Sequence, residues 1–395
     1  MIRFDLNLKY VFYFLILLTV TSCKNYDDVP YAYRIPKKSS DSLAVGTISE
    51  VSIDSNLVFK AVRTIKGGGA GQVHSLLIYR NDKLVVEEYF GGNKYKWDAP
   101  YHYDSYVQWT QKDLHNIMSV NKSITAACIE IAIDKGWIAS VEQSIFDYLP
   151  EHQHLKREGR ENITIEHLLT MTSGLIWSEW NADYSTPDNP IIGLWYADID
   201  PVSFILDAPL THRPGEYFSY FGGHHILLGE ILRHATGLSI DDFAAKYLFE
   251  PMGIQDVEWT NKFNNGVVEC AGNLKMKPRD MLKFGIVFLE NGKWNQTTIL
   301  SEKWITKSST PYAENKNIKI PGENAGSVGY AYSWWTKELL INDKRLNVFW
   351  ANGWGGQKII VIPDKKAVLV FTGGDYNSGT KQFDLLEDYF IPAMQ

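Results

Sequence analysis

Ser119-Val120-Asn121-Lys122-Ser123-Ile124-Thr125-Ala126-Ala127-Cys128-Ile129-Glu130-Ile131 is the stretch on which the reading of this chain turns. Val120, Ile124, Ala127, Cys128 and Ile131 recur at helical spacing and Gly136 follows as a stop, so the pattern predicts a helix over 119–135. Ser119 and Lys122 open it. At i and i+3 they share a face, which puts a hydroxyl and an amine within reach of each other. A serine hydroxyl is a weak nucleophile until a base takes its proton. Lysine becomes that base when apolar burial lowers its pKa. The free N–H groups of a helix start favour a developing anion. Ser-x-x-Lys also arises by chance, as a plain helix start with a solvated lysine, so the rest of the chain has to decide. Cys128, on the apolar face, reads as a buried free thiol.

Outward from that helix, β-rich runs lie at both ends of the chain. Residues 75–80 and 83–90 flank Asn81-Asp82, a hairpin signal. Residues 346–350, 357–362 and 367–372 read as three more strands, the last two joined by a turn at Pro363-Asp364-Lys365-Lys366. The middle is helical. Thr164 caps a short helix over 165–171. Residues 224–235 form another, closed by Gly237. Ser239 caps the next, and Pro278 opens one that runs to about Glu290. These elements predict a three-layer α/β (α+β) fold: an antiparallel sheet of N- and C-terminal strands flanked by helices, with a mostly helical subdomain inserted within about 138–275.

Further motifs follow in order. They are Ile165-Glu166-His167-Leu168-Leu169-Thr170-Met171-Thr172-Ser173-Gly174, Pro214-Gly215-Glu216-Tyr217-Phe218-Ser219-Tyr220, Leu227-Leu228-Gly229-Glu230-Ile231-Leu232, Lys277-Pro278-Arg279-Asp280-Met281 and Gly353-Trp354-Gly355-Gly356-Gln357. With the segment 114–123 they make residues 70–390 similar to the class C β-lactamase-related serine hydrolases, a penicillin-binding-protein-like fold. The last motif resembles the 6-aminohexanoate-dimer hydrolase branch. The resemblance implies that Ser119 forms an acyl-enzyme and that Lys122 accepts or shares its proton. Tyr220 matches the tyrosine of the family's Tyr-x-Asn motif and would serve as general base, then as proton donor to the leaving group. A neighbouring ammonium would ease its ionisation. The backbone N–H groups of Ser119 and Trp354 would form the oxyanion hole.

Two departures stand out. Tyr-x-Asn reads Tyr220-Phe221-Gly222, so the amide is missing, and Asn273 is the candidate replacement. The Lys/His-Thr/Ser-Gly motif, aligned on Gly353, reads Ala351-Asn352-Gly353. The cation that holds a substrate carboxylate in penicillin-recognising members is absent, which argues for an esterase or amidase over a dedicated β-lactamase or D-amino-acid peptidase. A non-catalytic homologue that binds peptidoglycan or a partner is the reading from another class. In the loop after Gly174, Trp177, Trp180, Tyr184 and Trp195 either grip an apolar acyl chain or pack the loop onto the body. His225, close behind Tyr220, is a candidate border of the site. His152, His154, His224 and His234 lack the His-Glu-x-x-His form, and neither metal nor cofactor is expected.

The 395 residues are 45% hydrophobic and carry a net charge of -7 with no basic block, which argues against nucleic acid as a partner. Residues 1–22 read as a signal peptide, weakly basic at Arg3 and Lys9, then apolar over 10–20, too short to span a bilayer comfortably. Val20-Thr21-Ser22-Cys23 resembles a bacterial lipobox, which makes Cys23 the lipidation site. Residues 23–45 would then tether the hydrolase domain, 46–395, to a membrane. That places a lipoprotein at the bacterial cell envelope, periplasmic or on the outer-membrane surface, with a small ester or amide as its substrate.

Overall fold

The computed structural model describes residues 26–394 apart from Ser178 and Asn342. The expected signal peptide and Cys23 lie outside the described residues. The hairpin forms where Asn81-Asp82 predicts it, between β1 (Val73–Arg80) and β2 (Lys83–Tyr89). Both turn residues take positive φ, 46° and 64°, as a two-residue type I′ turn demands. The C-terminal strands are β3 (Gly329–Tyr330), β4 (Trp335–Ile341), β5 (Lys344–Gly353), β6 (Gln357–Ile362) and β7 (Ala367–Gly373). They pair antiparallel in the order β3-β4-β5-β6-β7-β1-β2, so the first and last parts of the chain meet in the β1–β7 ladder. β4 was not legible in sequence, because Lys337 and Glu338 interrupt its alternation.

β1, β6 and β7 are buried along their whole length, because helices cover both faces of the sheet. Phe371 and Trp350 point to one face and meet Phe390 and Phe383 of the C-terminal helical segment, which packs on α1 (Ser55–Lys66). Val368 and Phe349 point to the other face, against the helix Pro278–Leu289, where Gly285 lets the backbone approach Ile359 and Val368. Burying each of these rings contributes roughly 2–3 kcal/mol. On this second side lies α2 (Asn121–Asp134), which packs on the helix Gly223–Thr236. Its periodicity implied one apolar stripe, yet every residue from Asn121 to Ala132 is buried, as befits a helix at the centre of the molecule.

The segment expected to be a tether is, from about residue 30 onward, docked on the domain. It runs beside edge strand β2: the Leu84 N–H donates to the Ala44 carbonyl at 2.8 Å and the Gly46 N–H to the Leu84 carbonyl at 3.1 Å. This covers an edge that would otherwise be open to pairing. Arg279 clamps it from behind, with ion pairs to Glu87 at 2.5 Å and Asp41 at 2.8 Å and donation to the Lys37 carbonyl at 2.7 Å. Arg279 and Glu87 are both buried. Arg279→Ala leaves that carboxylate uncompensated and should lower unfolding free energy in urea by about 3–5 kcal/mol.

Candidate active site

The nucleophile segment is held from two sides. The short strand His115–Asn116 pairs with Leu274–Met276, and the Ile117 N–H donates to the Leu274 carbonyl at 3.0 Å. The end of β5 closes from the other side, so tightly that a Cβ on Gly353 would collide with the Ile117 carbonyl oxygen. Between these clamps Met118 adopts φ 49°, a strained value for a residue with a side chain. The strain presents Ser119 at the head of a 3₁₀ turn, Met118–Val120, that runs into α2. Trp354, the next residue after Gly353, lines the same two cavities as Ser119.

Lys122 donates to the Ser119 hydroxyl at 3.0 Å and to the Ala271 carbonyl at 2.8 Å. It is 3% exposed and forms no ion pair among the described residues. Burial pulls its pKa below the ordinary lysine value, while the carboxylates of Glu179 and Glu269 pull the other way without restoring it. Tyr220 completes the cluster, with the Lys122 nitrogen 5.1 Å from its ring centroid. Contrary to expectation, no neighbouring ammonium eases the ionisation of this phenol. Burial first, and then the Glu179 charge, push its pKa well up, and a hydrogen bond with Ser119 offsets this only in part. Tyr220 therefore rests as a protonated donor, and the amine is the more readily available base.

Glu179, which the sequence reading missed, is 2% exposed. Its carboxylate accepts from Trp177 Nε1 at 3.1 Å, the Tyr184 hydroxyl at 2.9 Å and the Gly222 N–H at 2.7 Å. Nothing but its place between Trp177 and Trp180 marks it in the sequence. Ser119, Glu179, Tyr184 and Trp354 line two adjoining cavities, one of about 250 Å³ and one of about 460 Å³, which meet at Ser119. Ile191, Ile192 and Trp195 give the smaller cavity an apolar wall.

The other expected site residues divide. Trp180 stacks on Tyr220 with centroids 5.0 Å apart and lines the larger cavity, where Trp335 backs both rings. Trp354 stacks on Tyr184 at 5.1 Å. Trp177 lies against Phe221 at 4.1 Å and lines neither cavity, so it packs the loop and aims Glu179. His225 is also displaced from the expected border. It is fully buried behind Lys122, bonded to the Ser333 hydroxyl at 2.7 Å, and burial holds it neutral. Asn273 lines the smaller cavity, but its amide donates to Glu269, and the contact that the missing amide would make to Lys122 is made by the Ala271 carbonyl. His224 bonds Ser173, while His152 and His234 pair with Asp200 and Glu151. Cys128 and Cys270 are buried free thiols.

The arrangement gathers a serine hydroxyl, an amine of lowered pKa and a protonated phenol around one point, with apolar and polar space on either side, which are the parts that acyl transfer requires. A family model described as Beta-lactamase matches residues 61–380. Penicillin-binding protein 4* of Bacillus subtilis is 25% identical over 180 residues, 42% of this chain and 36% of its own length. The matched region thus spans about a third of the curated relatives. Among solved structures, a Bacillus anthracis protein described provisionally as a 6-aminohexanoate-dimer hydrolase is similar with TM-score 0.65 at 19% identity, covering 94% of this chain and 89% of that one. A family VIII carboxylesterase is similar with TM-score 0.63 at 16% identity, covering 85% and 96%.

If the buried amine governs the serine, labelling of Ser119 by a fluorophosphonate should rise with pH through a midpoint below the ordinary lysine value of about 10.4. Glu179→Gln removes a charge that raises the Lys122 pKa and should move that midpoint to lower pH.

Proposed function

The chain belongs to the Beta-lactamase family, and from that premise we propose that it hydrolyses small esters or amides through a covalent acyl-enzyme on Ser119. The observation that carries this reading is the 3.0 Å contact between the Ser119 hydroxyl and the buried Lys122 amine, at the junction of the two cavities.

The chemistry runs in two halves. Ser119 Oγ attacks the substrate carbonyl while Lys122 takes the hydroxyl proton. The tetrahedral oxyanion is met by the N–H groups of Ser119 and Trp354. The carbon–leaving-group bond then breaks, and Tyr220 gives its proton to the departing alkoxide or amine. The resulting phenolate regains a proton from the Lys122 ammonium. Water enters, loses a proton to the same base and bonds to the acyl carbon. The bond to Ser119 Oγ then breaks, the acid leaves, and the Lys122 ammonium returns the proton to the serine oxygen. The loss of a cation at Ala351 leaves the family's usual carboxylate anchor unfilled. This favours an esterase or amidase over a β-lactamase or D-amino-acid peptidase.

The lipobox reading of residues 20–23 puts this enzyme at the cell envelope, anchored through Cys23. Labelling with an alkyne fatty acid in cells should mark the wild-type chain, and Cys23→Ala should remove the mark and release the protein from membranes. Unchanged labelling would remove the anchor from the account.

A panel of nitrophenyl esters, anilides and nitrocefin tests the activity. Ester turnover should vanish in Ser119→Ala, and nitrocefin should turn over no faster than the slowest ester. No turnover of any substrate by the wild type would favour a binding homologue. Tyr220→Phe should lower anilide kcat by about 10²–10⁴-fold, the scale of a lost general acid. Its effect on nitrophenyl esters should be much smaller, because nitrophenolate leaves without a proton. Equal losses on both would contradict the role of proton donor.

A further inference from the structure

Gly222 stands where an asparagine closes the Tyr-x-Asn motif, and its surroundings show what has taken that space. Its N–H donates to Glu179 Oε2 at 2.7 Å, and a Cβ built on it would meet that same oxygen at 3.0 Å. A side chain at 222 and the carboxylate at 179 compete for one place. The exchange replaces a neutral amide by an anion beside the nucleophile.

The charge on that anion is left over. Its three donors, an indole, a phenol and a backbone amide, are all neutral. Among the described residues no lysine, arginine or histidine nitrogen lies within 4 Å of it. The Lys122 amine is committed to Ser119 and the Ala271 carbonyl. Among the described residues Oε1 accepts from Tyr184 alone and so retains acceptor capacity. Beyond Glu179 the charged residues that line the larger cavity are, among the described residues, Asp183, Glu323 and Asp375, with no lysine, arginine or histidine. Of these, Glu323 is paired with the buried Lys358 at 2.7 Å. Ala351 has meanwhile removed the cation of the third motif. Both changes move the cleft's charge in one direction.

We infer that Glu179 is the specificity-determining residue of this site, and that it selects substrates carrying an ammonium or another N–H donor near the scissile carbonyl and rejects those carrying a carboxylate. The inference rests on the acyl-transfer reading of the cleft, and it names the substrate class. A carboxylate in an enclosed cleft interacts strongly with a second unit charge a few ångströms away. It also loses nothing when an N–H donor of substrate fills its remaining lone pair. In this account Trp177 and Tyr184 serve to aim Glu179.

The test uses the 4-nitroanilides of pentanoic acid, 5-ammoniopentanoic acid and glutaric acid, matched in chain length. Dissociation constants are measured by calorimetry on Ser119→Ala protein, where hydrolysis does not intervene. Turnover of the same compounds on the wild type is read separately. The ammonium compound should bind at least about 100-fold more tightly than the carboxylate, the scale expected for one unit charge at an effective dielectric near 20. Adding Glu179→Gln should shrink that ratio to less than about 10-fold, while Glu179→Asp, which keeps the charge, should preserve its direction. Circular dichroism and melting temperature establish that each variant folds. A ratio near one in the Ser119→Ala protein, or a ratio indifferent to Glu179→Gln, overturns the inference whether or not the wild type turns substrate over. Absent turnover with the charge preference intact would instead count against the hydrolase reading alone.

Discussion

A lysine amine buried against a serine hydroxyl is an expensive arrangement, and much of this molecule follows from having to hold it. The ammonium form would need a counter-ion, and among the described residues none lies within ion-pair distance. Lys122 instead meets a hydroxyl and the Ala271 carbonyl, both of which a neutral amine can also satisfy. Burial then favours the uncharged form, which is the form that can accept a proton. To keep water from relaxing that cost, α2 is enclosed along its length and the nucleophile turn is clamped between β5 and the strand at 274–276. Gly353 and the strained Met118 are the local consequences.

The phenol and the amine are differentiated by the same enclosure. Low polarity around them drives both groups towards their neutral forms, and the Glu179 charge opposes ionisation of Tyr220 further. One group is thereby an acceptor and the other a donor, although both border one hydroxyl. This division of labour also explains why a carboxylate is tolerable beside the nucleophile: it holds the acid protonated while its three neutral donors hold it in place.

Much of the fold was legible because its signals are local or periodic. The Asn81-Asp82 turn, the run 119–135 and the Thr164 cap each encode geometry in adjacent residues, and the structure follows them. β4 escaped because Lys337 and Glu338 lie at an edge of the sheet where alternation is weakly enforced. The docking of residues 30–45 escaped because polar, proline-bearing chain reads as a linker, and only Arg279, some 240 positions later, reveals the contact. At the site, Ser119 and Lys122 from one motif and Tyr220 from another are brought together. His225 and Trp177 were misplaced because proximity in sequence to a site residue says nothing of which way a helix or loop side chain points. Glu179 carries no motif at all. Its role arises from a glycine 43 positions away, a tertiary pairing that a single sequence does not encode visibly.

The central claim is that the Lys122 amine is neutral when the serine is ready to react. ¹⁵N NMR of protein with labelled lysine side chains reads this directly, the Lys122 signal being identified by its loss in Lys122→Met. The account predicts a resonance that titrates from ammonium to amine well below the ordinary lysine range, in step with Ser119 reactivity. A Lys122 nitrogen that stays an ammonium up to the pKa of an exposed lysine, while Ser119 reacts normally, would contradict it.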